Sequence, residues 1–172
     1  MRRTWLARAA VATAAISVPV IATTGPAHAA TLTGQAKATA ATGKALNLFA
    51  HTAAGTAKTL VGDPYVYGGT TPAGFDCSGL TQYVYAHTGG GKTIPRMAED
   101  QFLKFRPISE SDAQPGDLVF FHETSDPSSY VYHVGVFEGG DDMVAATTAG
   151  GGVELQSYTW GGDTVTFGTI TH

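Results

Sequence analysis

A chain of 172 residues with a formal net charge of −4 is short for more than one domain, and it lacks the basic footprint a nucleic-acid binder needs. The same acidity argues against simple electrostatic adsorption to an anionic wall or membrane, so affinity for a polyanionic partner has to come from a specific pocket. With 43% hydrophobic residues the chain holds enough apolar surface for a real core.

The first segment reads as an export signal. Arg2, Arg3 and Arg8 stand without an acid, residues 9–21 are apolar and small, and Ala27-His28-Ala29 is a small-x-small cleavage site, which predicts a mature chain from Ala30. The apolar run is too short for a membrane span. Arg2-Arg3-Thr4-Trp5-Leu6 partly resembles a twin-arginine signal, although paired arginines near Met1 also suit the general route. The expectation is a secreted monomer, extracellular or wall-associated. It comprises a signal (1–29), a flexible lead-in of Ala, Thr, Gly and Lys (30–44) and one domain (45–172).

From Ala45 to Val61 the spacing Leu48, Thr52, Thr56, Leu60 predicts one helix, or two pieces broken at Gly55, ended by Gly62-Asp63-Pro64. Residues 65–74 form a loop. Cys77 to His87 is a central helix stopped by Gly89-Gly90-Gly91, and Arg96 to Phe105 a shorter one. A turn at Gln114-Pro115-Gly116-Asp117 precedes strands at 118–121, 130–137, 143–148, 153–158 and 165–170. Helices first and strands last, joined by short turns, predict an α+β fold with an antiparallel sheet packed on the Cys77 helix.

Cys77 is the only cysteine of the chain. In an exported protein a lone thiol cannot form an internal disulfide, so a retained one is a candidate reactive group; the plainer reading is a small buried hydrophobe. Glycines before it and a helical stretch after it put Cys77 at a helix N-terminus, where the dipole and unpaired N–H groups favour thiolate. A thiol nucleophile needs a base. Of six histidines, His28 leaves with the signal, His172 is terminal, His51 lies on a weak helix and His87 is ten residues along the Cys77 helix. His122 and His133 remain. On strand alternation His133 shares a face with Val131, Gly135 and Phe137, and Gly135 leaves room for a helix end to approach; a lone histidine on a strand is otherwise more often structural.

Five segments occur in order: Pro64-Tyr65-Val66-Tyr67-Gly68-Gly69, Gly74-Phe75-Asp76-Cys77-Ser78-Gly79-Leu80, Ile94-Pro95-Arg96, Pro115-Gly116-Asp117-Leu118-Val119-Phe120-Phe121 and His133-Val134-Gly135-Val136-Phe137. Together they resemble the NlpC/P60 family of cell-wall cysteine peptidases over about residues 46–170. The resemblance implies a papain-like fold with Cys77 as nucleophile and His133 as base. Tyr65 would stand by the nucleophile and help hold the oxyanion, or merely pack. Asp76 and Ser78 would line the substrate pocket, with Asp76 also a candidate N-cap. Arg96 matches a Pro-Arg pair that is more often structural than catalytic. The implied reaction is hydrolysis of the bond between D-γ-glutamate and the diamino acid in peptidoglycan stem peptides or muropeptides, with no metal or organic cofactor.

One position departs from the pattern. The third polar residue, which would orient the histidine, corresponds to Ala145, which cannot hydrogen-bond an imidazole. Thr147, on the same strand face, is a candidate substitute, with His122 and Glu154 as others. Alternatively, water or a backbone carbonyl orients the ring, or the protein is a weakened or inactive homologue that binds wall peptides. Amidase or acyl-transfer chemistry on another amide is a further option.

Overall fold

The computed structural model of the chain describes residue 48, residues 52–159 and residues 161–171. The expected signal, the lead-in, the start of the first helix, His51 and His172 lie outside the described residues.

The architecture is α+β. The described helices are α1 (residues 52–59), α2 (Cys77–His87) and α3 (Ala98–Lys104). A short hairpin of β1 (Thr70–Thr71) and β2 (Gly74–Phe75) leads into α2. β3 (Arg106–Ile108), β4 (Leu118–His122), β5 (Val131–Gly139), β6 (Asp142–Thr147), β7 (Gly152–Ser157) and β8 (Thr164–Thr169) form one antiparallel sheet in the order β3-β8-β4-β5-β6-β7. β3, absent from the sequence expectation, carries Pro107 and sits at the sheet edge, where a missing N–H costs no ladder bond.

Both faces of the sheet are buried. On one, Val134, Val136, Val144 and Ala146 pack with Leu80, Val84 and Tyr85 of α2 and with Ala53, Ala57 and Leu60. On the other, Val119, Phe121, Phe137, Met143, Ala145, Tyr158 and Phe167 form a second cluster, against which Ile108 and Ala113 pack. α1 runs unbroken through Gly55. Its buried face is Ala53, Ala54 and Ala57, one residue on from the predicted Thr52 and Thr56; Leu60, just past its end, is buried as predicted, and Leu48 and Thr52 are exposed. Alanines on the inner face let the backbone approach the sheet closely, which the longer Leu48 pattern would not.

α2 begins where the sequence predicts because Asp76 caps it: Oδ1 accepts the Gly79 N–H at 2.7 Å. Gly79 is required by packing. A Cβ there would sit 2.0 Å from the Gly69 carbonyl oxygen, so only glycine lets the loop before β1 cross the first turn. α3 clamps the same turn through buried Gln101, whose Nε2 donates to the Ser78 and Pro95 carbonyls at 3.0 and 2.8 Å and whose Oε1 accepts from Thr81 at 2.7 Å. Gln101→Ala removes three hydrogen bonds and leaves the Pro95 carbonyl without this donor, while Thr81 Oγ1 and the Ser78 carbonyl keep their own bond at 2.9 Å; it is expected to lower stability by about 1–2 kcal/mol, read as a lower urea midpoint at unchanged m-value.

Two details of β5 differ from the alternation predicted for it. The register with β4 shifts between Phe121↔His133 and His122↔Val131, so Tyr132 is an extra residue. Val131 therefore packs in the first core with Val134 and Val136, not on the face of His133. The space beside Gly135 is filled by β6: a Cβ there would meet Met143 Sδ at 2.6 Å and the Ala145 Cβ at 3.3 Å. It is not an opening for α2.

Candidate active site

The paired register of β5 and β6 runs from Gly139↔Asp142 to Val136↔Val144, while β6 goes on pairing with β7 to Thr147↔Gly152. Where the β5–β6 ladder stops, a cleft of about 280 Å³ opens, and Cys77 at the tip of α2 and His133 on β5 both line it. Tyr65, Phe121, Tyr132 and Thr147 complete most of its wall. Tyr65 is held by its backbone. Its N–H donates to the Gly151 carbonyl at 3.0 Å, while the flanking Pro64 carbonyl and Val66 N–H bond to Phe75.

A second groove of about 410 Å³ meets the first at Cys77, Tyr65 and Tyr132 and is lined by Asp76, Ser78 and Arg96. Arg96 grips Asp76 bidentately, with Nη2 2.5 Å from Oδ2 and Nη1 3.0 Å from Oδ1, and Nη1 also donates to Ser78 Oγ at 2.9 Å. Asp76 further accepts the Gly68 N–H at 2.9 Å. The N-cap and pocket readings of Asp76 thus coincide in one side chain. Burial by itself would push the Asp76 carboxyl up; Arg96 and the Gly79 and Gly68 N–H groups outweigh it and hold it below the usual carboxylate range.

The protonation state differs from the sequence expectation. Burial, then the Asp76 carboxylate beside it, pushes the Cys77 thiol up against the pull of the Val134, Ser78 and Cys77 N–H groups. Burial pushes His133 down to about 4, opposed by the Asp163 carboxylate. Both shifts favour the neutral thiol and imidazole, because desolvation and an adjacent carboxylate oppose the pull of the helix end. Burial, with Cys77, Asp76 and Tyr67, also pushes the Tyr65 phenol up, so its hydroxyl keeps its proton and stays a donor.

Of the three candidate substitutes for a third residue, Glu154, opposite Ala145 on β7, does not line the cleft, and the other two fare differently. Thr147 lines the cleft and its Oγ1 accepts the Gly150 N–H at 3.3 Å. His122 does not line it. It is buried, its Nδ1 lies 2.8 Å from the Ser129 carbonyl and its Nε2 2.8 Å from Thr166 Oγ1, and its ring packs edge-on against Phe102. With both nitrogens engaged away from the cleft, His122 is a structural histidine. Ala145 is fully buried in the second core. The residues that sequence reasoning underrated are Arg96, visible only as half of a Pro-Arg pair, and Gln101, Tyr132 and Asp163, which carried no local signal. Among the described residues no group of three or more His, Cys, Asp or Glu could hold a metal ion.

A single thiol at a helix tip, facing a strand histidine across the open end of an antiparallel sheet, defines an α+β protein of papain-like type. The chain belongs to the NlpC/P60 family, whose profile matches residues 62–167. It is 40% identical over 111 residues to the "Probable endopeptidase p60" of Listeria seeligeri, covering 64% of this chain and 20% of that protein. The "Bifunctional muramidase/DL-endopeptidase CwlT" of Bacillus subtilis is also 40% identical over 111 residues, covering 63% of this chain and 33% of that protein. The crystal structure of the NlpC/P60 domain of the peptidoglycan hydrolase SagA is similar with a TM-score of 0.60 and 32% identity, over 70% of this chain and 98% of that one. The chain thus spans about a fifth of the length of the p60 relative.

Proposed function

We propose that this protein is a secreted cysteine endopeptidase that hydrolyses peptidoglycan stem peptides at the bond between D-γ-glutamate and the diamino acid. The observation that carries the reading is the meeting of two grooves at Cys77, one holding His133 and the other the Asp76–Arg96 pair. A stem peptide laid through both presents an amide to the thiol, with its charged groups toward the polar groove. The names of the p60 and CwlT relatives support the reaction class.

In this mechanism Cys77 gives its proton to His133 as its sulfur bonds to the carbonyl carbon. The developing oxyanion is met by the backbone N–H of Cys77 and the Tyr65 hydroxyl. Collapse breaks the C–N bond, and His133 returns the proton to the departing amine. Water, deprotonated by His133, then releases the acyl group from sulfur. Because the pair rests neutral, proton transfer belongs to the attack rather than preceding it.

The test is digestion of defined muropeptides by the full chain and by Cys77→Ala, read as product masses. Cleavage at the D-γ-glutamyl bond by the wild type alone is the expected result; equal cleavage by Cys77→Ala sinks the reading. Burial of Ala145 in the second core favours a second reading, a wall-peptide binder without turnover. It predicts retained binding with no cleavage by either protein.

Resting protonation has its own signature. A thiol pushed up beside an imidazole titrating at about 4 gives iodoacetamide alkylation that climbs steadily between about pH 6 and 9. A preformed thiolate–imidazolium pair would instead give a plateau across that range.

A further inference from the structure

The reaction proposed above requires His133 to become an imidazolium, yet no side chain on β6 is placed to stabilise one. Ala145 is fully buried in the apolar second core, and Thr147 carries no charge. The opposite flank of the strand is different. His133 opposes Phe121 on β4, with ring centroids 5.2 Å apart, and Phe121 opposes Val165 on β8. These three side chains form a row across three strands. Asp163 lies just before β8, two residues ahead of Val165, and its carboxylate is placed by a contact with β5. The bulge residue Tyr132 closes the gap. Its hydroxyl donates to Asp163 Oδ2 at 2.9 Å, and its ring stacks on His133 with a 27° interplanar angle and centroids 6.4 Å apart.

We infer that Asp163, held in place by Tyr132, is a positioning residue that stabilises the His133 imidazolium from the β8 side and takes over the electrostatic task left vacant at Ala145. The ionisable groups around His133 agree with this. α2 contributes Cys77, the loop before β1 contributes Tyr65, β5 contributes Tyr132, and β4 and β6 contribute Phe121 and Thr147, which do not ionise. Among the described residues Asp163 is the charged group that acts on the imidazole, and it acts to favour the protonated form. An exposed carboxylate so placed leaves the resting histidine neutral and lowers the barrier only once the proton arrives. The inference rests on the proposed peptidase reading for its role in turnover, but not for the coupling itself.

The test is D163N, which keeps the shape and removes the charge, beside D126N, an exposed change of equal charge near His122. NMR titration of the His133 ring is expected to show a pKa lower by about half a unit in D163N, the size expected for the loss of one exposed charge near the ring, and no change in D126N. Muropeptide turnover is expected to lose about threefold in kcat at unchanged KM, the same shift converted to a rate, with the acid limb moving down by the same half unit. Y132F, which keeps the stacked ring, is expected to shift the ring pKa in the same direction. An unmoved His133 titration in D163N, or an equal shift in D126N, overturns the inference. Should the wild type cleave no muropeptide, the peptidase reading fails and the titration still decides this one.

Discussion

His133→Ala is expected to reduce muropeptide kcat/KM by at least about 1000-fold while leaving stem-peptide binding within a few-fold of wild type. The reason lies in the resting state. Burial and the Asp76 carboxylate keep the Cys77 thiol protonated, so without an acceptor for its proton the sulfur cannot attack at neutral pH. The leaving amine also loses its acid. Loss in a papain-like pair that rests as an ion pair would fall on a thiolate already formed; here it falls on the step that makes one. The substitution removes a half-buried ring beside Phe121 and Tyr132, and the fold rests on a core to which His133 does not contribute. Single-turnover assays with equilibrium binding separate the two quantities. An activity loss under tenfold would remove His133 from the mechanism.

Arg96→Leu is expected to lose both activity and stability. With the guanidinium gone, Asp76 keeps its Gly79 and Gly68 N–H bonds but stays buried without a counter-charge. Without Arg96 the Asp76 pKa moves up toward the ordinary carboxylate value, so its contribution to the pH dependence shrinks. In the wild type the depressed Asp76 contributes stability that is present above the unfolded carboxyl pKa and lost as pH falls through the folded one. In the variant that contribution shrinks, and the cap of α2 weakens at a higher pH than in the wild type. Breaking a buried pair costs several kcal/mol, but the Arg96 side chain is 33% exposed, so about 2 kcal/mol is expected. Turnover is expected to fall about 100-fold, because the cap that aims Cys77 and the polar groove that orders substrate share this one ion pair. Urea melts at several pH values, alongside muropeptide kinetics, check both parts. Wild-type stability between about pH 4 and 7 would show that the pair is not what sets the cap.

Cys77, Asp76 and His133 were legible in the sequence because their placement depends on near neighbours. A carboxylate ahead of a helical stretch is a cap wherever it occurs, and β-branched residues in alternation make a strand. Asp117, beside Gly116, marked its turn in the same way, with its carboxylate accepting the Gln114 N–H at 2.8 Å. The role of Arg96 was only half legible, since a Pro-Arg pair does not say which of the chain's acids it will meet.

By itself the sequence determined the order of elements, the α+β class, the helix that begins at Cys77 and the family, all of which follow from local periodicity, caps and motifs in register. Tertiary structure alone decided which stripe of α1 is buried, that Tyr132 bulges and turns Val131 into the first core, that His122 is satisfied away from the cleft, and that Ala145 belongs to the second core. It also set the directions in which burial and neighbouring carboxylates shift Cys77 and His133. These outcomes depend on desolvation and on charges such as Asp163, which lies thirty residues from His133 along the chain; burial and cross-strand distance are properties of the packed molecule, and no spacing along a single chain encodes them.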